Sequence, residues 1–374
     1  MKMFILYIVL IFINILYGLY INIKKEDHAF VLNKNKNIYL HISSIFFAAL
    51  FLVLFVIAKN TRGIADFDSY KLMYYHNSNI ISSPGYKLIS QFAYKNGLTF
   101  IQFRTIIYAI ALILLYFVIN QLNDFKNIIG GIYAIFPYTF DVIQMRNFLA
   151  FSIVLFGLYF LFTKEKIGKP IFILLVALAS TIHLVSIVYY SLLLSHSKRN
   201  EESRKKILIF IFIFIIGLSL LTRFIPSMMS LMISLFITFN SERGTAYTSV
   251  LLNWGFVIFW LMYLLYFAVI IIGQKSSEFE YNLNNILVYE PLYLMNLCLT
   301  IYLPLLLINI NFYRIYRNFS IINYISLPMI LRQNRFSIKL IGVMIFSFGF
   351  ILNISQSIGV NPWDVYFPIF GIFK

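Results

Sequence analysis

Long apolar runs without a single Asp, Glu, Lys or Arg recur along the whole chain. An uncharged run of about 20 residues crosses the hydrocarbon core of a membrane as a helix, because only a backbone that satisfies its own hydrogen bonds is tolerated there. Runs of this length cover residues 3–23, 37–58, 105–123, 170–195, 244–274, 291–313 and 340–363. Further candidates are residues 127–145, interrupted only by Asp141, and the shorter runs 147–163, 207–222 and 318–331. The sequence therefore predicts an all-α, polytopic integral membrane protein with about eleven transmembrane helices.

Composition supports lipid as the solvent of this chain. Apolar residues make up 61% and charged residues 12%, whereas a soluble protein carries about 25% charged residues. The net charge of +16 comes from basic residues in the short gaps between apolar runs, where they set orientation and contact membrane lipids, so no nucleic-acid partner is expected. The lone Cys298 excludes a cysteine-based zinc site, and the spacing of polar residues indicates neither a metal nor a cofactor.

Residues 1–374 are expected to form a single membrane-embedded domain. The longest hydrophilic stretch, residues 59–98, is predicted to be an external loop that contains an amphipathic helix. Residues 223–249 are predicted to be external or interfacial, and within them 224–241 form either an interfacial or re-entrant helix or a twelfth span.

The distribution of basic residues predicts the orientation. With the N-terminus outside, lysines fall in cytoplasmic loops only if residues 170–195 fold as a hairpin that turns near His183. Seven of the eleven arginines then lie at the external face: Arg62, Arg104, Arg146, Arg223, Arg243, Arg314 and Arg317. Because a planar guanidinium binds phosphate oxygens through paired hydrogen bonds, these arginines indicate an anionic ligand; headgroup anchoring is the alternative.

The external loop carries a candidate sugar site. Asp66, Tyr70 and Tyr74 recur every four residues and would share one helix face, while Asp68 lies on another side. Carboxylates and phenol rings suit sugar hydroxyls, and Tyr86 follows in the next turn. The alternative is a surface helix with an aromatic belt.

Charged and titratable residues beside the predicted spans are the candidate catalytic groups. Asp141, Gln144 and Arg146 lie at a span boundary, where they either bind an anion or form a structural Asp–Arg pair. His183 is a base if it lies at the tip of the hairpin and a packing residue if the span is continuous. Arg314 lies three residues before Arg317 at a further membrane edge.

These residues resemble the EpsG family of bacterial membrane proteins, which is grouped with the Wzy-type polysaccharide polymerases. The resemblance rests on motifs in the family's order: Arg62, then Asp66-x-x-x-Tyr70-x-x-x-Tyr74, Gly85-Tyr86, Gln144-x-Arg146 with Ala150, and Ala179 with His183. The chain departs from the family pattern at Ile64, where a glycine is expected, and at Ser83-Pro84, where an acidic residue is expected.

The resemblance implies a metal-independent enzyme that joins oligosaccharide repeat units carried on undecaprenyl pyrophosphate, at the outer face of the bacterial cytoplasmic membrane, for exopolysaccharide, capsule or O-antigen. A flippase and a chain-length regulator of the same pathway are expected partners. The alternatives are a flippase of lipid-linked sugar, a non-catalytic subunit of an export complex and a histidine-dependent acyltransferase.

The implied roles fall into three groups. Pyrophosphate would be bound by Arg146, Gln144, Arg314, Arg317, Arg243 and Arg62. Sugar would be bound by Asp68, Tyr70, Tyr74 and Tyr86. The candidate bases are His183, Asp66 and Asp141.

Overall fold

The computed structural model describes residues 2–24, 36–64, 66–76, 83–122, 125–164, 166–196, 206, 209–214, 216–217, 256–276, 289–308, 310–332, 335–359 and 369. These residues contain helices and no strand, which confirms the all-α class for the described part of the chain. The predicted external or interfacial segment 223–249 and half of the predicted span 207–222 lie outside the described residues.

The described helices follow one another in this order along the chain. They are α1 (Lys2–Lys24), α2 (Lys36–Asn60), α3 (Phe67–His76), α4 (Pro84–Lys95), α5 (Phe100–Asn120), α6 (Lys126–Ile135), α7 (Tyr138–Ile143), α8 (Met145–Thr163), α9 (Gly168–Ile182), α10 (Phe256–Ser276), α11 (Tyr289–Leu299), α12 (Leu305–Ile308), α13 (Tyr313–Asn323), α14 (Ser326–Leu331) and α15 (Phe336–Gly359). Segments of 3₁₀ helix cover Leu184–His196, Thr300–Tyr302 and Ile310–Phe312.

Six of the described helices are long and apolar enough to cross a membrane. They contain Met3–Ile23, Asn37–Asn60, Phe100–Asn120, Met145–Thr163, Phe256–Gly273 and Phe336–Ser355. The protein is thus a multi-pass membrane protein, but the predicted number of about eleven spans is not confirmed.

Proline explains why other predicted spans are not continuous helices. A proline ring clashes with the carbonyl four residues earlier and donates no backbone hydrogen bond. The predicted span 127–145 divides at Pro137 into α6 and α7, and the predicted span 318–331 divides into α13 and α14 just before Pro328. Residues 291–313 divide around Pro304 into short α and 3₁₀ pieces.

The predicted span 170–195 folds back on itself at His183. The hydroxyl of Tyr190 donates a hydrogen bond to the carbonyl of Ile173 at 3.1 Å, and the ring of His196 lies 5.5 Å from that of Phe162. Fifteen residues of α-helix and thirteen of 3₁₀ helix give legs of about 22 and 26 Å, since a 3₁₀ helix rises further per residue. The reversal predicted near His183 is therefore confirmed, with legs that extend from residue 168 to residue 196.

Tyrosine hydroxyls donate to backbone carbonyls at or near the ends of the broken helices. Tyr324 donates to the carbonyl of Phe136 at 3.0 Å, Tyr108 donates to that of Val142, and Tyr189 donates to that of Ile315 at 3.2 Å. All three tyrosines are buried. Irregular backbone at membrane depth is tolerated when protein groups satisfy it in this way.

Buried amide side chains join helices that are distant in sequence. Asn127 of α6 donates to Asn14 of α1 at 2.8 Å. Asn296 of α11 and Asn323 of α13 exchange two hydrogen bonds, at 2.8 and 3.0 Å. Because each amide has its partner, these contacts hold the bundle without leaving a polar group unsatisfied.

The two ends of the bundle are distinguished by the contacts that their charged residues make. One end of the bundle, which we call the arginine end, contains α3 and α4. The C-terminus of α2 and the N-termini of α5, α8 and α13 lie at this end. Direct contacts join these elements: Arg104 to the carbonyl of Ala58, Arg146 to Ser83, and Arg317 to Gln144. At the other end, the lysine end, Lys126 donates to Ser44 and Asn120.

Candidate functional site

Arg146 lies in the first turn of α8, immediately after the break that separates α7 from α8. Gln144 has the non-helical backbone angles φ −99° and ψ 59°, and α8 begins at Met145. A cation in the first turn opposes the helix dipole, so helix stability does not favour an arginine here. The free N–H groups of that turn and the guanidinium together favour an anion instead.

The guanidinium of Arg146 packs between α3 and α4. It lies 5.4 Å from the ring centre of Tyr70 on α3 and 5.5 Å from that of Tyr86 on α4. Its Nη1 is 3.5 Å from the hydroxyl of Ser83, the residue before α4. The predicted sugar-binding tyrosines Tyr70 and Tyr86 therefore contact the predicted pyrophosphate-binding Arg146.

Asp66 lies beside this arginine and beside Arg314. Its carbonyl accepts the first helical hydrogen bond of α3, from the N–H of Tyr70 at 3.0 Å. Burial raises the pKa of the Asp66 carboxyl above its ordinary value, and the nearby Arg314 and Arg146 guanidinium groups oppose that rise. Burial likewise raises the pKa of the Tyr70 hydroxyl, with Arg146 opposing it. The described part of the loop thus brings a half-buried carboxyl next to two cations.

A second arginine cluster lies deeper, where α13 meets the α7–α8 break. Arg317 is 4% exposed, and its Nη2 donates to the side-chain oxygen of Gln144 at 2.8 Å. Its guanidinium stacks on the ring of Phe140, 4.9 Å from the ring centre. Asp141 is 3% exposed and accepts a hydrogen bond from Tyr133 at 3.0 Å. Arg317 attracts the Asp141 carboxylate electrostatically, and Arg314 repels Arg317.

Several donors of this site have no acceptor within the described part of the chain. The Nε groups of Arg146 and Arg317 are buried there without a hydrogen-bond partner, and so is the hydroxyl of Tyr86. Among the described residues, no carboxylate forms an ion pair with Arg146, Arg314 or Arg317. Since a buried cation is costly unless it is paired, donors left in this state indicate a site for an anionic ligand.

The turn at His183 lies against the start of α4. A Cβ added to Gly85 would lie 2.2 Å from the Thr181 hydroxyl, so only glycine permits this close approach. His183 follows two residues later, half-buried, with its backbone N–H bonded to the carbonyl of Ala179 at 2.8 Å. The structure therefore places His183 at the arginine end, next to the helix whose preceding residue contacts Arg146.

Other predicted site residues are placed elsewhere. Tyr74 donates its hydroxyl to the carbonyl of Leu98 at 2.6 Å, and its ring stacks on Phe103 at 5.1 Å, so its hydroxyl is already engaged. Asp68 and Arg62 are exposed, and neither belongs to the contacts that join the three arginines. Arg243 lies outside the described residues.

The site also contains residues that we did not predict from the sequence. Ser83 contacts Arg146, Asn311 accepts from Arg314 at 3.1 Å, and Asn147 pairs with Asn318. One signal was present: the tripeptide Arg-Asn-Phe occurs twice, at 146–148 and at 317–319. Its second occurrence lies 171 residues after the first, and only the fold brings the two together.

Fold and site together define a polytopic α-helical membrane protein with a partly buried, arginine-rich candidate anion site at one end of its bundle. A family model described as the EpsG family matches residues 44–368, and the chain therefore belongs to the EpsG family. Comparison with curated proteins and with solved structures finds no match. The matched region contains every site residue discussed above, and membership supports a general role in polysaccharide polymerisation.

Proposed function

We propose that this protein polymerises oligosaccharide repeat units carried on undecaprenyl pyrophosphate, at the outer face of the bacterial cytoplasmic membrane. The observation that supports this most is the convergence of Arg146, Arg314 and Arg317: Asp66 and Asp141 lie near them, but among the described residues no carboxylate oxygen contacts their guanidinium groups directly. A lipid-linked diphosphate is an anion that remains at the membrane surface, at the depth where such arginines can reach it.

The chemistry is a glycosyl transfer. A hydroxyl oxygen of the acceptor sugar attacks the anomeric carbon of the donor, and the bond from that carbon to the diphosphate oxygen breaks. The diphosphate leaves with the bonding electrons, and the hydroxyl proton moves to a base. Guanidinium groups already in position stabilise the charge that develops on the leaving group, each by several kcal/mol in a water-poor site.

Asp66 is the proposed base. Its carboxyl is half-buried beside Arg146 and Arg314, at the edge of the site where an acceptor sugar can enter. A carboxylate whose pKa is raised by burial takes a proton more readily than an ordinary one. Asp141 is less suited, because it is buried and one of its oxygens already accepts from Tyr133. We assign Asp141 to balancing the charge of Arg317.

Two ring faces are proposed to contact sugar. Tyr70 and Tyr86 flank Arg146, so a sugar attached to a diphosphate on Arg146 would lie beside their rings. His183 lies at the neighbouring hairpin turn, where it would contact the acceptor. The lysine end would face the cytoplasm, in accordance with the positive-inside rule, and a flippase and a chain-length regulator would act with the enzyme.

The test is reconstitution of the purified protein in vesicles with undecaprenyl-pyrophosphate-linked repeat units. We expect glycans of several repeat units on one lipid, and their absence with Arg146→Ala. Arg335→Ala, which removes an exposed arginine from the lysine end, is the matched control and should retain chain growth. Movement of lipid between leaflets without longer glycans would instead identify a flippase. If neither chain growth nor lipid movement is observed, the protein would be a non-catalytic subunit.

A further inference from the structure

One pair of buried amides connects the two arginine clusters. Asn147 on α8 and Asn318 on α13 exchange two hydrogen bonds, each at 3.0 Å, and they are 4% and 2% exposed. Each asparagine directly follows an arginine of the site, Arg146 or Arg317. We propose that this reciprocal pair is a positioning device that fixes Arg146 and Arg317 relative to each other, so that both can bind one diphosphate.

The geometry of a helix makes such a device effective. Consecutive side chains leave a helix about 100° apart, so locking the rotation and height of one residue also locks the direction of the residue before it. Two hydrogen bonds between two planar amides fix the rotation and translation of one helix relative to the other. Apolar contacts constrain both less strictly, because they are not directional. The oxygen of Asn318 also lies 3.5 Å from Nη2 of Arg317 itself.

The pair is joined to the hairpin as well. Tyr189, on the returning 3₁₀ leg, donates to the carbonyl of Ile315 at 3.2 Å, less than one helical turn from Asn318. The same level of α13 therefore contacts α8 through Asn147 and the hairpin through Tyr189. A shift of α13 would move Arg314 and Arg317 together with respect to Arg146.

The chain provides a matched control for this device. Asn296 and Asn323 form the same reciprocal amide pair, between α11 and α13, and both are buried. Neither of them adjoins an arginine in the sequence. If reciprocal amides only stabilise the bundle, breaking either pair should have the same consequences.

The experiment compares two double variants, Asn147→Leu with Asn318→Leu and Asn296→Leu with Asn323→Leu. Replacing both partners by apolar groups of similar size leaves no unpaired amide, so both proteins are expected to fold. Spin labels at cysteines introduced for Arg146 and Arg314, in a Cys298→Ala background, report the short distance between α8 and α13 by dipolar broadening of the continuous-wave electron paramagnetic resonance spectrum. We expect a broadened or shifted distance distribution only in the Asn147/Asn318 variant. An unchanged distribution in that variant, or the same change in the Asn296/Asn323 variant, would overturn the proposal.

The functional part rests on the proposed polymerase activity and is measured without labels. We expect the Asn147/Asn318 variant to lose about 10–100-fold in kcat/KM for the lipid-linked donor, the loss typical of residues that orient a binding group, while the control pair stays within about threefold. Equal losses in both variants would overturn the positioning role. No turnover by the unmodified protein would overturn the proposed function instead, while the label distances would still decide the geometry.

Discussion

Arg104 and Arg146 lie at the same end of the bundle and both stack on aromatic rings, yet their guanidinium groups are in different states. Arg104 donates from Nε to the Tyr108 hydroxyl at 3.2 Å, from Nη2 to the Ala58 carbonyl at 3.1 Å, and from Nη1 to the Thr61 carbonyl. Besides its two ring contacts, Arg146 contacts only side-chain hydroxyls, that of Ser83 at 3.5 Å and that of Tyr70, and its buried Nε has no partner among the described residues.

This difference separates a structural arginine from a functional one. Arg104 satisfies the last carbonyls of α2, which a helix end leaves free, and so it holds α2 against α5. Arg146 and Arg317 retain donors that no described group accepts. When the fold satisfies every hydrogen-bond donor of an arginine, no donor remains for a ligand. When buried donors remain unsatisfied, a bound anion can accept their hydrogen bonds.

The largest expected effect concerns the carboxyl beside the unsatisfied arginines. Asp66→Asn removes the proposed base without changing the shape of the side chain. We expect polymerisation to fall by about 10²–10⁴-fold, the contribution typical of a general base, with pyrophosphate binding retained. Asp68→Asn, at an exposed position in the first turn of α3, is the control. Activity of Asp66→Asn within a few-fold of the unmodified protein would exclude Asp66 as the base.

Arg146→Ala should lower the rate by about 10²–10³-fold, because it removes a fixed donor from the leaving group. Its thermal unfolding midpoint should change little, since few contacts are lost. Arg146→Lys should recover only a small part of the rate, because an ammonium cannot bind two oxygens in one plane. Rates come from glycan length after a fixed time in vesicles, and full rescue by lysine would argue against paired hydrogen bonding.

Arg104→Met should have the opposite effects to Arg146→Ala, a loss of stability without a loss of ligand binding. The substitution leaves the carbonyls of Ala58 and Thr61 without their donor, so we expect a loss of about 3 kcal/mol in stability. Thermal unfolding in detergent measures the loss, and pyrophosphate affinity of the protein that remains folded should be unchanged. A stable Arg104→Met protein with impaired binding would show that the two arginines do not differ in the way proposed.

The smallest effect is a shift in pH dependence. An ionised Asp66 is required as base, so activity should fall as the pH drops through its pKa, at a higher pH than for an ordinary aspartate because burial raises that pKa. Arg314 opposes the rise; therefore Arg314→Gln should raise the pKa and move the acid limb to still higher pH. Arg335→Gln should leave the limb in place. The pH profile of kcat/KM measures this, and a limb that moves to lower pH in Arg314→Gln would contradict the assignment.

Hydropathy and charge were sufficient to predict the broad architecture. The uncharged runs predicted the long helices, and the distribution of lysines predicted the reversal near His183, because only a hairpin brings residues 164–169 and 198–206 to one side. The number of spans could not be predicted in the same way, since the run 127–145, in which Asp141 is the single charged residue, breaks at Pro137.

The site was predictable only in part. A four-residue period places Tyr70 and Tyr74 on one face of α3, but it does not tell which neighbour covers each ring: Arg146 covers Tyr70, whereas Phe103 covers Tyr74. The Asn147–Asn318 contact joins residues 171 positions apart, and nothing local to either asparagine indicates its partner. Contacts of this kind depend on helix packing, which sequence periodicity does not encode.

Titration of the purified protein with inorganic pyrophosphate tests the central claim most directly. The account predicts saturable binding of one pyrophosphate, weakened at least about tenfold by Arg146→Ala or Arg317→Met and unchanged by Arg335→Ala, in line with the loss of a charge-assisted hydrogen bond. Absence of saturable binding, or equal affinity in all four proteins, would contradict it.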